Sequence, residues 1–149
     1  MDFNIRKATK NDLPQVLDLI NELALYENAP EEVTITLKEL EKDGFGEHPI
    51  YWILLAENEN EILGMSFYYI RYSTWKGKTL YLEDLVVKEK YRGNKIGEAL
   101  FEATIKAAKE MKAKLMTWQV LDWNEPAINF YKKFNAELDE EWINGKLRF

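Results

Sequence analysis

Residues 81–100 read YLEDLVVKEKYRGNKIGEAL. The opening is a strand pattern: Tyr81, Leu82, Leu85, Val86 and Val87 are aromatic, aliphatic or β-branched, with two acids, Glu83 and Asp84, set among them. A charged turn at 88–90 leads into Tyr91-Arg92-Gly93-Asn94-Lys95-Ile96-Gly97, after which Ile96, Leu100, Ala103 and Ala107 recur at the helical period. A strand, a short basic loop with glycines and a helix start together make an anion site. Backbone N–H groups without partners and the positive end of the helix dipole both point at whatever occupies the turn.

Three phosphate loops compete for this segment, beside a plain strand–turn–helix connection with no ligand. The Walker loop requires Lys-Ser/Thr after its last glycine, but Gly97 is followed by Glu98. The dinucleotide fingerprint requires three glycines, and only Gly93 and Gly97 are present. The remaining match is R-G-N-K-I-G at 92–97, which resembles the pyrophosphate loop of the GNAT acetyltransferases, Gln/Arg-x-x-Gly-x-Gly/Ala. Arg92 and Gly97 fit its ends; Lys95 stands where glycine is usual, and must take a backbone geometry that a side chain tolerates.

The 149 residues fit one domain, 1–149, with a sizeable core. A composition of 46% hydrophobic and 31% charged residues is that of a soluble globular protein. The apolar run at 51–56 is too short to span a bilayer, and the N-terminal MDFNIRKATK lacks a signal-peptide apolar region. No membrane association and a cytoplasmic location are therefore expected. Without cysteine there is no disulfide framework or thiolate metal site, and the lone histidine, His48, makes no cluster; no metal is expected. His48 reads as a loop residue beside Pro49, with a general base as the competing reading. The 26 acids against 20 bases give a net charge of −6, which disfavours nucleic acid and suits a small cationic partner.

Along the chain, 3–6 reads as a strand. Asn11 and Asp12 are set to cap a helix whose apolar stripe is Leu13, Val16, Leu17, Ile20, Leu23 and Ala24. A second helix spans 34–43, with Thr36 and Glu39 spaced as a capping box. Strands at 51–57 and 62–72 flank a polar hairpin at 58–61, and Gly64 marks a bulge or a close backbone approach. A turn at 73–78 leads into the central strand. After the long helix come a strand at 114–121 and a helix opened by Asn124, carrying Ala127, Phe130, Tyr131 and Phe134 and closed by Asn135. Asn144-Gly145 predicts a final hairpin. The fold class is α/β (α+β): one mixed sheet with helices on its faces.

The resemblance extends over nearly the whole chain. Segments 5–9 (IRKAT), 22–27 (ELALYE), 43–49 (DGFGEHP), 81–84 (YLED), 91–93 (YRG) and 123–132 (WNEPAINFYK) resemble the spermidine/spermine N-acetyltransferases and their thialysine-acetylating relatives within the GNAT superfamily. That resemblance implies a mostly antiparallel sheet of six to seven strands with a splayed central pair. It also implies acetyl-CoA as cosubstrate, a small primary amine as acceptor, and a homodimer.

Amine acetylation sets three tasks: take a proton from the ammonium, hold the thioester oxygen, and return a proton to the departing thiolate. Alkylammonium groups titrate near the lysine value of about 10.4, so a proton acceptor is needed at neutral pH. Glu83 is the candidate base, acting through water; solvated strand acids are the plain alternative. Glu83 and Asp84 face opposite sides of a strand unless a bulge intervenes. The backbone of Leu85, Val86 and Val87 would hold the thioester and the pantetheine arm, given an unpaired strand edge. Arg92, Gly93, Asn94, Lys95, Ile96 and Gly97 would take the pyrophosphate. Through the resemblance, Tyr131 aligns with the family's general acid and Asn124 with a contact to the CoA arm; a core aromatic and a helix cap are the alternatives.

On the substrate side, Tyr26, Glu27, Glu83, Asp84, Glu141 and Trp142 would form an acidic, aromatic channel for a cation. Ser73 and Thr74 replace an acid and a proline of the polyamine enzymes, which weakens the case for long polyamines and leaves diamines or thialysine open. The chain also ends at Phe149, short of the family's usual extension. Two rival functions remain: acetylation of a protein amine, and a CoA-binding sensor without turnover, for which neither Glu83 nor Tyr131 would be needed.

Overall fold

The computed structural model describes residues 1–149, which divide into two compact units, Met1–Trp118 and Gln119–Phe149. The first unit holds one five-stranded sheet: β1 (Asn4–Lys7), β2 (Trp52–Asn58), β3 (Glu61–Ser73), β4 (Gly77–Val87) and β5 (Leu115–Trp118), in that spatial order. Pairing is antiparallel except between β4 and β5, which run parallel because α3 (Ile96–Glu110) crosses between them.

Two further helices, α1 (Leu13–Tyr26) and α2 (Leu37–Phe45), precede β2. Leu13, Val16, Leu19 and Leu40 from these helices close one core with Ile53, Leu55, Met65 and Val86 of the sheet. On the other face lie Ile96, Leu100, Phe101 and Thr104 of α3, all but fully buried, and Thr104 Oγ1 meets Ser66 Oγ at 2.6 Å. Met65 and Ser66 thus serve opposite layers, as strand alternation requires. Each fully buried leucine here contributes roughly 1.5–3 kcal/mol relative to exposure.

Local chemistry explains most boundaries. The expected capping box forms, with Thr36 Oγ1 accepting from the Glu39 N–H at 3.2 Å. Glu59 and Asn60, the central residues of the 58–61 hairpin, both have positive φ, as a tight turn between right-twisted strands demands. Asp12 departs from its expected role. Its carboxylate does not cap α1; it accepts two bonds from Arg6 at 2.8 and 2.9 Å and one from the Thr9 N–H at 2.7 Å. Arg6 also donates to Glu57 at 2.7 Å, so this cluster ties β1 to β2 and to the start of α1. The hydrogen bonds from Arg6 hold the Asp12 pKa down at about 2.

The second unit contains α4 (Glu125–Lys132) and residues 133–149 without strand structure. The sheet therefore has five strands, not six to seven, and the expected Asn144-Gly145 hairpin does not form. Trp142, Ile143 and Leu147 are exposed. A turn signal with no buried face beside it leaves a two-stranded ribbon marginal in water.

Candidate active site

The pairing of β3 with β4 shifts in the middle: Tyr68 faces Leu82 while Phe67 faces Asp84. Glu83 is the extra residue, a β-bulge. Without it, alternation would send Asp84 to the α3 side. With it, Asp84 comes into phase with Tyr81, whose cross-strand partner Tyr69 packs against the same core as Phe67. Glu83, two residues from Tyr81, keeps to that side as well. Both adjacent acids therefore lie on one face of the sheet, the face covered by α1.

A third acid, Glu27, joins them from the C-terminal cap of α1. Burial first, then repulsion from Glu83 and Glu27, pushes the Asp84 pKa up to about 7. Glu83 reaches solvent, yet the protein around it withdraws enough water to raise its pKa, and burial raises that of Glu27. Tyr69 and Tyr81 floor the site beside these acids, their rings 5.1 Å apart between centres, and the Arg71 guanidinium lies 5.3 Å from the centre of Tyr81.

Beyond the bulge, β4 loses its neighbour. Pairing with β5 ends at Leu82–Trp118, so Glu83 to Val87 have no partner strand on that side, as the splayed central pair predicts. The Lys88 N–H donates to the Leu63 carbonyl of β3 at 2.9 Å, and the Val87 carbonyl accepts from Arg92 Nε at 3.3 Å on the opposite side. By alternation the N–H groups of Leu85 and Val87 point away from β3 into the gap, whereas Val86 turns its polar groups toward β3. Gly64 faces this stretch closely: an added Cβ would sit 2.6 Å from the Val86 carbonyl oxygen. The expectation of a close backbone approach at Gly64 holds, and the shift in β2–β3 register places a bulge at Leu63 beside it.

The loop that follows is built from left-handed residues. Gly93 has φ 85° and Lys95 φ 61°, so Lys95 takes a left-handed backbone geometry that favours glycine. Asn94 Nδ2 donates to the Tyr91 carbonyl at 2.9 Å, closing the turn. Lys95 is the N-cap of α3, so the N–H groups of Ile96, Gly97 and Glu98 in its first turn have no intrahelical acceptor. Arg92 lies with its guanidinium 5.3 Å from the centre of the Tyr26 ring, so the end of α1 braces the loop. The structure thus sets Tyr26 against the anion loop and Glu27 against the acids. A run of free amides, a nearby arginine and an unpaired strand edge match what a pyrophosphate and an amide-bearing arm require.

The second unit carries the other expected site residues. Asn124 is buried and caps α4, its side chain accepting from the Ala127 N–H at 3.3 Å. Tyr131 is buried and edge-on to Phe130 at 5.4 Å. Glu141 and Trp142 are exposed in irregular chain. His48 is an exposed loop residue. The residues that sequence reasoning passed over are Tyr69, Arg71 and Tyr81. Alternation along β3 puts Tyr69 and Arg71 on one face, but only the cross-strand register brings Tyr81 and Glu83 beside them.

An acid pair on a bulge thus stands before an unpaired strand edge and an amide-lined loop. The model of the Acetyltransferase (GNAT) family matches residues 13–136, and the chain belongs to that family. It is an N-acetyltransferase by that membership and by its relatives. It is 40% identical over 141 residues to the thialysine N-epsilon-acetyltransferase of Bos taurus, covering 89% of this chain and 83% of that protein. It is 36% identical to the human spermidine/spermine N(1)-acetyltransferase-like protein 1, covering 90% of this chain and 20% of that longer protein. In fold it is similar to an aminoglycoside acetyltransferase from an uncultured soil metagenomic sample, with a TM-score of 0.81, 20% identity, and coverage of 99% and 96% of the two chains.

Proposed function

We propose that the chain, read as one catalytic domain, transfers the acetyl group of acetyl-CoA to a primary amine of a small cationic substrate, by direct attack in a ternary complex. Reading 1–149 as one domain is supported by a family match that runs through both compact units. The observation that carries the function is the bulge at Glu83, which sets Glu83 and Asp84 on one face beside the unpaired edge of β4, where Glu27 of the α1 cap joins them. Three acids and two tyrosine rings favour an ammonium by charge and by cation–π attraction. The names of relatives acting on thialysine and resembling spermidine/spermine enzymes point to the same substrate class.

Acetyl-CoA supplies the acetyl group as a thioester. Arg92 and the amides of residues 93–97 would hold its pyrophosphate, and the N–H groups of Leu85 and Val87 would hold the arm and the thioester oxygen, whose charge grows during attack. Glu83, the more exposed acid of the pair, accepts the ammonium proton through water, while Asp84 holds part of the site's proton load near neutral pH. Tyr131 is assigned as the acid that protonates the leaving thiolate on the strength of its N-F-Y-K context.

The test is thiol release from acetyl-CoA against thialysine, ornithine, putrescine, spermidine, spermine and a lysine peptide. Saturable turnover on a small amine supports the proposal. Acetyl-CoA binding with no turnover on any amine would favour the sensor, and turnover on the peptide alone would favour a protein acetyltransferase.

A further inference from the structure

The acidic site has a cationic end. Arg71 stands on β3 opposite Thr79, on the face of Tyr69 and Tyr81. Its guanidinium rests over Tyr81 and makes no ion pair, although Glu83 acts electrostatically on the same two tyrosines. Thr79 and Glu83 are four residue steps apart along β4, about 13 Å of strand, and the arginine reaches back over Tyr81 to shorten that span. Carboxylates at one end, a guanidinium at the other and an aromatic floor between them do not suit a polyamine. A long polyamine would set a second ammonium against Arg71. A short basic amino acid satisfies both ends at once, because a planar carboxylate fits the guanidinium fork.

We propose that Arg71 reads the carboxylate of an α-amino-acid substrate whose side-chain amine lies at Glu83, and so selects amino acids over polyamines. This inference rests on the acetyltransferase reading above. The residue is a specificity determinant and takes no part in proton transfer.

The test compares substrates that differ only by the carboxylate: L-ornithine with putrescine, and thialysine with its decarboxylated diamine. Initial rates are measured for the native enzyme, Arg71→Gln, Arg71→Lys and Arg71→Glu. Charge-assisted hydrogen bonds of this kind carry about 10- to 100-fold in affinity, so Arg71→Gln raises KM for the amino acids by that factor with little change in kcat. The diamines gain in kcat/KM, Arg71→Lys restores part of the amino-acid preference, and Arg71→Glu reverses it. Arg71 is exposed, so these variants fold, and an unchanged Tm checks this. Equal losses on both members of each pair, or no loss on the amino acids, would overturn the role of Arg71 alone. A native enzyme that binds acetyl-CoA but acetylates neither member would overturn the enzymatic reading, and this inference with it.

Discussion

Glu83 and Asp84 are neighbours in sequence and yet share one face of β4, because Glu83 is the unpaired residue between the Leu82–Tyr68 and Asp84–Phe67 pairs. The bulge turns what would be one inward acid and one outward acid into a coupled pair. Their environments then divide them: Asp84 is the more buried and its pKa stands at about 7, while Glu83 keeps contact with water.

Asp84 therefore carries a stability cost that depends on pH. Its folded pKa lies above the ordinary value of 3.8, so the folded state binds the proton more tightly. Stability falls as pH rises from about 4 to about 7 and stays lower above that. Asp84→Asn removes the cost. Thermal unfolding should place the variant above the native protein by at least about 3 °C at pH 8, the shift that 1 kcal/mol gives a chain of this size, with the gap closing near pH 4. An equal gap at both pH values would contradict the assignment.

Gly93 is required for its backbone alone. Its φ is 85° and an added Cβ would meet nothing. Gly93→Ala should cost about 1–2 kcal/mol from the left-handed geometry and raise KM for acetyl-CoA severalfold with kcat nearly retained. Chemical denaturation and initial rates read the two effects separately.

Arg92→Ala removes both the guanidinium over Tyr26 and the bond to the Val87 carbonyl. If the loop holds pyrophosphate, calorimetry should show acetyl-CoA binding weakened about tenfold or more, and the loss should shrink in high salt as charge interactions are screened. A loss of kcat with unchanged binding would place Arg92 elsewhere in the reaction.

Tyr131→Phe keeps the ring and removes the hydroxyl. The acid role predicts a fall in kcat of about 10²-fold or more with acetyl-CoA affinity preserved. The buried ring packs edge-on to Phe130, and Phe preserves that contact, so an unchanged Tm checks the fold. Unchanged turnover would return Tyr131 to a packing role.

The strand–loop–helix of residues 81–100 was legible because each part has its own local signal: β-branched residues, glycine with basic residues, then helical period. Thr36, Asn124 and the 58–61 turn were legible for the same reason. The bulge was not, since it follows from pairing with β3, a contact between residues far apart in sequence. Arg71 was hidden likewise, its meaning depending on which residues of β4 lie across from it. Leu19, fully buried on α1, fell outside the expected stripe because helix packing on the sheet buries a wider arc than one row. The Asn144-Gly145 signal misled, because a turn preference without a buried face does not make strands.

The most direct test of the account is the pH dependence of kcat/KM for amine acetylation, in the native enzyme and in Glu83→Gln. With Glu83 as proton acceptor, the native profile should rise through an apparent pKa above the ordinary glutamate value. The variant should lose about 10²-fold or more at pH 7 and recover as pH approaches the amine's own pKa. A variant that kept the native profile and rate would show that the proton leaves by another path, and the central role given to the bulged acid would fall.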